Sequence, residues 1–192
     1  MILPVVAIGD PVLRKKGKEI DKDYPKLQDL ITNMRETMIN SYGVGIAAPQ
    51  VGKAIRLFLV DTAPFAENEE YTNQERAFLK TYNRVFINPT ITDEDGEYWD
   101  FSEGCLSIPG INEDVARQPK VTIEYFDENF EKHTEILEGI AARVVQHEYD
   151  HIEGILFTDL ISPFKKRLLK RKLEKISKGQ VDVGYPMRFP KK

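Results

Sequence analysis

Apolar side chains recur at helical spacing in three segments of the chain. In residues 23–42, 140–152 and 164–177 they return every three or four positions, which places them on one face of a helix. A glycine follows each segment within two residues, and glycine ends helices readily because it adopts left-handed backbone angles without strain. The spacing therefore predicts three amphipathic helices, one near each end of the chain and one between them.

Shorter apolar runs, some of them alternating with polar residues, predict strands. The predicted strands are residues 55–61, 85–92, 121–127 and 131–137, the last two joined as a hairpin. Residues 62–84 are polar and rich in Glu, so we expect an exposed loop with room for a helical turn. Residues 181–192 contain two prolines and are expected to be extended or irregular. The elements predict an α+β fold of short, mostly antiparallel strands around a central helix, with N- and C-terminal helices.

The composition narrows the class of protein. The chain has 192 residues, of which 41% are hydrophobic, and we expect residues 1–192 to form a single domain with its own core. The formal net charge of −4 gives no general attraction to DNA or to an anionic membrane, and no apolar run reaches the roughly 18 residues of a membrane span. One cysteine cannot form an internal disulfide, and the first ten residues lack the pattern of a signal peptide, so we expect a cytoplasmic setting.

The central predicted helix contains the sequence His-Glu-x-x-His. His147 and His151 are four residues apart, so both lie on one helix face and can bind the same metal ion, with Glu148 beside them. Ile140 and Val144 continue that face, which predicts that the ion lies against the core. A catalytic site of this kind needs three protein ligands and one open position, so a third ligand must come from elsewhere in the chain.

The third ligand distinguishes two classes of enzyme. Zinc endopeptidases and aminopeptidases also carry His-Glu-x-x-His, usually with a Glu or His downstream of the helix as third ligand. Glu153 follows the second histidine too closely for that role, and Asp159 lies beyond the helix end. Cys105, the only cysteine, lies upstream and fits better, although a single cysteine is in general more often a small buried apolar residue than a ligand.

Three separated segments together resemble the motifs of peptide deformylases. They are Gly43-Val44-Gly45-Ile46-Ala47-Ala48-Pro49-Gln50, Glu103-Gly104-Cys105-Leu106-Ser107-Ile108-Pro109 and Gln146-His147-Glu148-Tyr149-Asp150-His151. Their order and spacing match this family, and so do Gly9-Asp10-Pro11-Val12-Leu13-Arg14 near the start and Gly154-Ile155-Leu156-Phe157 after the third segment. The resemblance covers most of the chain, and three such segments in one sequence are a specific signal.

The resemblance implies a metal-dependent hydrolase that removes the formyl group from the N-terminal formylmethionine of nascent polypeptides and releases formate. The metal ligands it implies are Cys105, His147 and His151. The ion would be ferrous iron (Fe2+) in the cell, with zinc, nickel or cobalt able to replace it. Glu148 would act as general base and then as general acid. Gln50 and the backbone N–H of Leu106 would flank the negative oxygen that develops on the formyl group.

The resemblance also implies an apolar pocket for the methionine side chain. The residues expected to contact the substrate are Val44, Gly45, Phe101, Ile140 and Val144. Arg117 and Asp150 are candidates for an ion pair that braces the metal-binding helix. Arg143 departs from the family pattern, because an apolar residue is expected there. Its side chain would either reach the pocket mouth or face solvent.

The last predicted helix is strongly basic. Eight Lys and Arg residues lie between positions 165 and 178, beside an apolar stripe. One interpretation is a solvated amphipathic helix that packs on the domain. The functional hypothesis is contact with ribosomal RNA near the site where the nascent substrate emerges. A metal-stabilised binding module on the ribosome, its metal site closed by a fourth protein ligand, is the non-enzymatic alternative.

Overall fold

The computed structural model of the protein describes residues 1–190, which form nine strands, five α-helices and three short 3-10 helices. The strands are β1 (Val5–Val6), β2 (Gly45–Ala47), β3 (Leu57–Asp61), β4 (Asn83–Asp95), β5 (Trp99–Cys105), β6 (Ile108–Arg117), β7 (Lys120–Phe126), β8 (Lys132–Glu138) and β9 (Met187–Arg188). The helices are α1 (Leu27–Asn40), α2 (Asn73–Thr81), α3 (Gly139–Glu153), α4 (Phe157–Leu160) and α5 (Pro163–Ser177). The α+β class predicted from the sequence is confirmed.

The main sheet has five strands in the order β2-β3-β4-β7-β8, and every neighbouring pair in it is antiparallel. Its two faces are covered by different helices. Along β3, Phe58 and Val60 are buried in the apolar cluster that includes α3, whereas Leu57 and Leu59 are buried in the cluster that includes α1. Because both faces are covered, β3 is apolar at consecutive positions rather than at alternate ones.

Helix α3 lies between the main sheet and a second sheet formed by β5 and β6. Ten of its fifteen residues are buried, so packing surrounds the helix well beyond the single apolar stripe that the sequence predicts. The helix ends at Gly154, whose φ of 78° is left-handed, and a Cβ there would lie 2.7 Å from the carbonyl oxygen of Arg14. Glycine is therefore required for the close approach of the N-terminal segment to this helix end.

The prediction that residues 62–84 form an exposed loop is wrong. This segment contains a 3-10 helix, Ala63–Glu67, and the nine-residue α2, and Leu79 and Tyr82 are buried in the core cluster with α3. The Thr72 side chain accepts a hydrogen bond from the N–H of Glu75, whose carboxylate accepts in return from the N–H of Thr72. This capping box, Thr-x-x-Glu, was present in the sequence and is the signal that predicts the helix start.

Two strands, β5 and β6, were not predicted from the sequence. They pair antiparallel from Trp99 opposite Arg117 to Cys105 opposite Ile108, with an irregularity after Gly104. Charged residues occupy many of their positions, and Gly104 and Gly110 interrupt the pattern, so apolar alternation is weak. These strands nevertheless carry one of the three motifs, and their position against α3 determines the geometry of the site.

The ends of the described chain meet. Strand β9 pairs in parallel with β1, with Val5 opposite Met187. The extended conformation expected for residues 181–192 holds over the described part, and residues 191 and 192 lie outside the described residues. Helix α1 begins at Leu27, four residues later than predicted, because Lys26 has the left-handed backbone angles of a helix boundary. Within residues 1–190, none of the helices combines the length and apolar character needed to cross a membrane.

Candidate active site

The structure brings the two histidines of α3 and the single cysteine together. Cys105 ends β5, and the Sγ atom lies 3.3 Å from Nε2 of His151. One potential ligand atom from each of Cys105, His147 and His151 lies within 4.8 Å of the other two. The His151 side chain is fully buried, while the other two are partly buried. The two histidines, one helical turn apart on α3, and the cysteine at the end of β5 thus meet at the edge of the core.

Glu103 is the residue that sequence reasoning missed. Its carboxylate lies on the same side of β5 as Cys105, and Nδ1 of His147 lies 2.9 Å from its Oε2. Burial by itself acts to raise the pKa of Glu103, but the hydrogen bonds from His147 and Arg117 outweigh it and hold the pKa well below the ordinary range. Its position two residues before the cysteine of the motif was the available signal, because alternate residues of a strand share a face.

Arginine side chains complete the surroundings of this carboxylate. Arg117 donates from Nε and Nη2 to Glu103 at 2.7 and 3.0 Å, and from Nη1 to Asp150 at 2.7 Å. Arg117 and Asp150, the predicted ion pair, therefore lie in contact. Arg143 also donates to Glu103, at 2.9 Å, and only 2% of its surface is exposed. Arg143 does not face solvent, because its charge has a buried carboxylate to pair with, and it lines the cavity beside the cysteine.

Glu148 occupies the space left by the absent side chain of Gly45. A Cβ built on Gly45 would lie 2.7 Å from the Glu148 Cγ atom, so the carboxylate would have to move if any other residue stood there. Burial raises the pKa of Glu148 to about 7, while the neighbouring His147 acts in the opposite direction. A carboxylate with a pKa near neutrality can take up a proton and give it back, which is what general acid–base catalysis requires.

Gln50 and Leu106 are both neighbours of the cysteine. The Gln50 amide nitrogen lies 3.4 Å from Cys105 Sγ, and its amide oxygen accepts a hydrogen bond from the Ala47 N–H at 2.8 Å, which fixes which end of the amide faces the site. Leu106 directly follows the cysteine, and its carbonyl oxygen accepts from the hydroxyl of Tyr185 at 2.8 Å. Tyr185 was not singled out from the sequence, because it belongs to the tail, far from all three motifs.

A cavity of about 360 Å³ opens beside these groups. Val44, Gly45, Phe101 and Val144 line it, as expected from the sequence. Ile140 does not: it lines a separate groove between α2 and the β7–β8 hairpin. The expectation for Ile140 is corrected because this residue lies one turn before Val144, at the end of α3 that follows β8 and faces this groove.

The donor set suits one divalent ion. A histidine that donates from Nδ1 to a carboxylate keeps the lone pair of Nε2 free for a metal, and this is the arrangement of His147 and Glu103. A thiolate and two imidazoles are ligands that zinc, iron, nickel and cobalt accept. Oε2 of Glu148 is buried and has no hydrogen-bond partner among residues 1–190, so the carboxylate retains an acceptor for a reacting group.

Comparisons with known proteins agree with this arrangement. A family model described as polypeptide deformylase matches residues 2–167. The chain is 65% identical to a peptide deformylase of Christiangramia forsetii, over 99% of this chain and 97% of that protein, and 57% identical to one of Flavobacterium johnsoniae, over 98% and 96%. It resembles the crystal structure of a peptide deformylase from Legionella pneumophila with a TM-score of 0.79 at 36% identity, covering 94% of this chain and 98% of that one.

The chain therefore belongs to the polypeptide deformylase family. Enzymes of this family are hydrolases that use a single divalent metal ion and remove the N-formyl group from nascent peptides. The activity expected from the three motifs is confirmed. Membership of this family therefore takes precedence over the two alternatives considered from the sequence, a peptidase that cleaves within chains and a purely structural metal module.

Proposed function

We propose that Cys105, His147 and His151 hold one divalent ion and that Glu148 is the catalytic base of the deformylation reaction. One observation carries this proposal: a potential ligand atom from each of the three side chains lies within 4.8 Å of the others, and two of these residues, Cys105 and His147, line the same cavity as Glu148. Residues 1–192 would act as a single catalytic domain. The bound ion would supply Lewis-acid chemistry, which makes water a better nucleophile and stabilises negative charge on oxygen.

Glu148 would move the proton that the reaction requires. Its carboxylate takes a proton from water as the water oxygen attacks the formyl carbon. It returns that proton to the amine nitrogen as the bond between carbon and nitrogen breaks. The products are formate and a peptide with a free N-terminus, so Glu148 ends the cycle as it began. A pKa of about 7 supports both steps, since the group neither holds nor releases the proton too strongly.

Gln50 and Leu106 would stabilise the oxygen of the formyl group as it becomes negative. The Gln50 amide is oriented by its bond from the Ala47 N–H, so its NH₂ end is available beside Cys105. The backbone N–H of Leu106 belongs to the residue that directly follows Cys105. Prealigned donors of this kind typically contribute about 10²–10³ in rate each, because they need no reorientation as the charge develops.

The apolar cavity would receive the methionine side chain. It is lined by Val44, which directly precedes β2, by Val144 of α3 and by Phe101 of β5. Gly45 also lines the cavity and lies beside Glu148, where its backbone would face the substrate. A volume of about 360 Å³ accommodates one side chain and part of a peptide backbone.

We propose ferrous iron as the ion present in the cell. A site with one thiolate and two imidazoles binds several first-row metals, and its thiolate lowers the Lewis acidity of the ion relative to a carboxylate ligand. An iron site of this kind loses activity in air, because both the ion and the Cys105 thiolate can be oxidised. Substitution by nickel, cobalt or zinc would remove the oxidation of the ion while leaving that of the cysteine.

Anaerobic purification with metal analysis, coupled to formate release from formyl-Met-Ala-Ser, tests the proposal. We expect one equivalent of metal, chiefly iron, and formate release without cleavage of internal peptide bonds. Cys105→Ser should lower the bound metal and the rate together, with Ser107→Ala as a control in the same loop. Unchanged metal content and unchanged rate in Cys105→Ser would remove this residue from the ligand set.

A second proposal concerns α5 and a cytoplasmic location at the ribosome. This helix contains seven Lys and Arg residues and only one Glu. Three of the basic side chains, Lys170, Arg171 and Lys175, are exposed and form no ion pair with other residues of the described chain. Such a surface would attract ribosomal RNA where the formylated nascent chain emerges, with binding that weakens steeply as salt is raised. Co-sedimentation with ribosomes at two salt concentrations tests it, and binding that survives charge reversal of the three residues would exclude it.

A further inference from the structure

Arg143 is the least exposed charged residue among residues 1–190 outside the proposed ligand set. It projects from α3, and its Nη2 donates to the carbonyl oxygen of Trp99 at 2.7 Å, while Nη1 donates to that of Val115 at 2.8 Å. Trp99 belongs to β5 and Val115 to β6, so one side chain of the helix joins both strands of the second sheet. A guanidinium with 2% of its surface exposed costs free energy unless such partners are present.

The same guanidinium contacts a whole face of β5. Its central carbon lies 4.5 Å from the ring centroid of Trp99 and 5.8 Å from that of Phe101, and Nη1 donates to Glu103 at 2.9 Å. Trp99, Phe101, Glu103 and Cys105 are alternate residues of one strand and therefore share a face. Arg143 contacts the first three of these residues, and the fourth is the proposed thiolate ligand.

Glu103 extends the contact to the ligand helix. Its Oε1 accepts from Arg143 and from Arg117, and its Oε2 accepts from Arg117 and lies against Nδ1 of His147. The carboxylate cannot shift without breaking one of these bonds. Arg143 thus fixes both the carboxylate that orients one imidazole and the strand that ends in the cysteine.

We infer that Arg143 is a positioning residue that sets the separation between the cysteine of β5 and the two histidines of α3. The inference rests on the proposed ligand set of Cys105, His147 and His151. Arg143 also lines the cavity, but in this role it acts through Glu103 and β5. Its three polar contacts and two aromatic contacts align the two halves of the metal site.

Cobalt(II) substitution tests the inference with a readout that does not depend on turnover. In the wild-type protein, a thiolate ligand gives a charge-transfer band, and the ligand-field bands report the geometry around cobalt. Arg143→Leu should shift these bands and speed chelator-driven cobalt release by about 10- to 100-fold, the range seen when groups that orient ligands are removed. Arg143→Lys keeps the charge but cannot bond to both carbonyl groups. Its cobalt spectrum and its release rate should therefore lie between those of the wild type and those of Arg143→Leu.

Arg56 provides a matched control. It is also a buried arginine, it pairs with Glu153 of α3, donates to the Pro89 carbonyl at 2.7 Å and lies 5.6 Å from the Tyr149 ring, but it does not contact β5. Arg56→Leu should lower the melting temperature about as much as Arg143→Leu and leave the cobalt spectrum unchanged. Thermal unfolding of the metal-free proteins measures the purely structural loss in each.

The outcomes separate this inference from the proposed function. If wild-type protein shows a cobalt–thiolate spectrum that Arg143→Leu and Arg143→Lys leave unaltered, with unchanged cobalt release, the inference is wrong although the ligand set stands. If wild-type protein shows no thiolate band, the ligand set itself is wrong. Should Arg143→Leu fail to fold, the Arg143→Lys spectrum and release rate decide, because lysine retains a positive charge beside Glu103.

Discussion

Charge is used in opposite ways in two regions of this molecule. Between α3 and β5, Glu103, Arg117, Arg143 and Asp150 are largely buried, and each is joined to another by direct bonds. Along α5, the basic side chains are mostly exposed, and only a few of them have partners in the described chain. In the first region a charge is held in one position, and in the second it is free to move.

Buried and exposed charges therefore have different effects: a buried charge fixes the positions of its neighbours, and an exposed charge attracts partners. A buried charge constrains its neighbours because any displacement leaves a desolvated ion unpaired, which costs several kcal/mol. An exposed charge constrains almost nothing, but it acts through solvent on whatever approaches the surface. The first arrangement suits a site in which ligands from two elements must meet, and the second suits a surface that attracts a polyanion. Four measurements test this difference between buried and exposed charge.

The largest effect is expected for Glu148, a buried carboxylate without an ion-pair partner among residues 1–190. Glu148→Gln should reduce formate release by about 10²–10⁴-fold, because the proton carrier is lost. Metal content should be retained, and the melting temperature should not fall, because an unpaired buried carboxyl is replaced by a neutral amide. Near-normal turnover in the variant, measured with formyl-Met-Ala-Ser, would remove Glu148 as the base.

Glu103→Gln should cause the largest loss of stability. Arg117 and Arg143 would both lose their shared carboxylate, and breaking a buried pair in this way typically costs about 3–5 kcal/mol. Urea unfolding of the metal-free protein measures it. Glu124→Gln, which removes an exposed carboxylate paired with Lys132, is the matched control and should cost less than about 1 kcal/mol. Equal losses in the two variants would refute the contrast between buried and exposed charge.

An intermediate case is the half-exposed pair of Arg14 and Asp159. Partial burial acts to raise the pKa of Asp159, but the hydrogen bonds from Arg14 and from the Leu156 N–H lower it overall. A carboxyl with a lowered folded-state pKa adds stability above its unfolded pKa of about 3.9, and this is lost as the pH falls through the folded value. The wild-type advantage over Asp159→Asn in melting temperature should therefore be present at neutral pH and vanish in strong acid. An advantage that grows on acidification would contradict the pairing.

The smallest effect on stability is expected in α5. Changing Lys170, Arg171 and Lys175 to Gln should alter the free energy of unfolding by no more than about 0.5 kcal/mol per site, since these side chains are exposed. Chemical unfolding measures this value, and co-sedimentation with ribosomes measures the loss of attraction. A large destabilisation would show that these exposed side chains contribute to packing, and the proposed difference between buried and exposed charge would then be wrong.

Periodic signals predicted the parts of the fold that depend on local sequence. The spacing of His147 and His151 is a property of any helix, so α3 and its two histidines were predictable, as was the β7–β8 hairpin. The role of Cys105 required the family resemblance, because no local pattern distinguishes a ligand from a buried thiol. Its partner Glu103 follows from strand alternation only once β5 is known to be a strand.

Other features depend on tertiary packing, which no local pattern contains. The burial of Arg143 depends on carbonyl groups of β5 and β6, and those strands carry weak apolar alternation. Ile140 has the helical phase of the pocket residues, yet the β7–β8 hairpin takes up its side chain. Only α2 had an unused local signal, the capping box at Thr72 and Glu75.

The pairing of β1 with β9 has a consequence for biosynthesis. The Ile8 N–H donates to the Ser107 carbonyl at 2.9 Å, and the Tyr185 hydroxyl donates to that of Leu106, so both ends of the described chain hold the loop after Cys105. Translation proceeds from the N-terminus, and Val5 cannot meet Met187 until nearly the whole chain has been made. The contacts that hold the loop after Cys105 are therefore completed late, so a growing copy of this enzyme fixes that loop from both ends only after synthesis has passed Arg188.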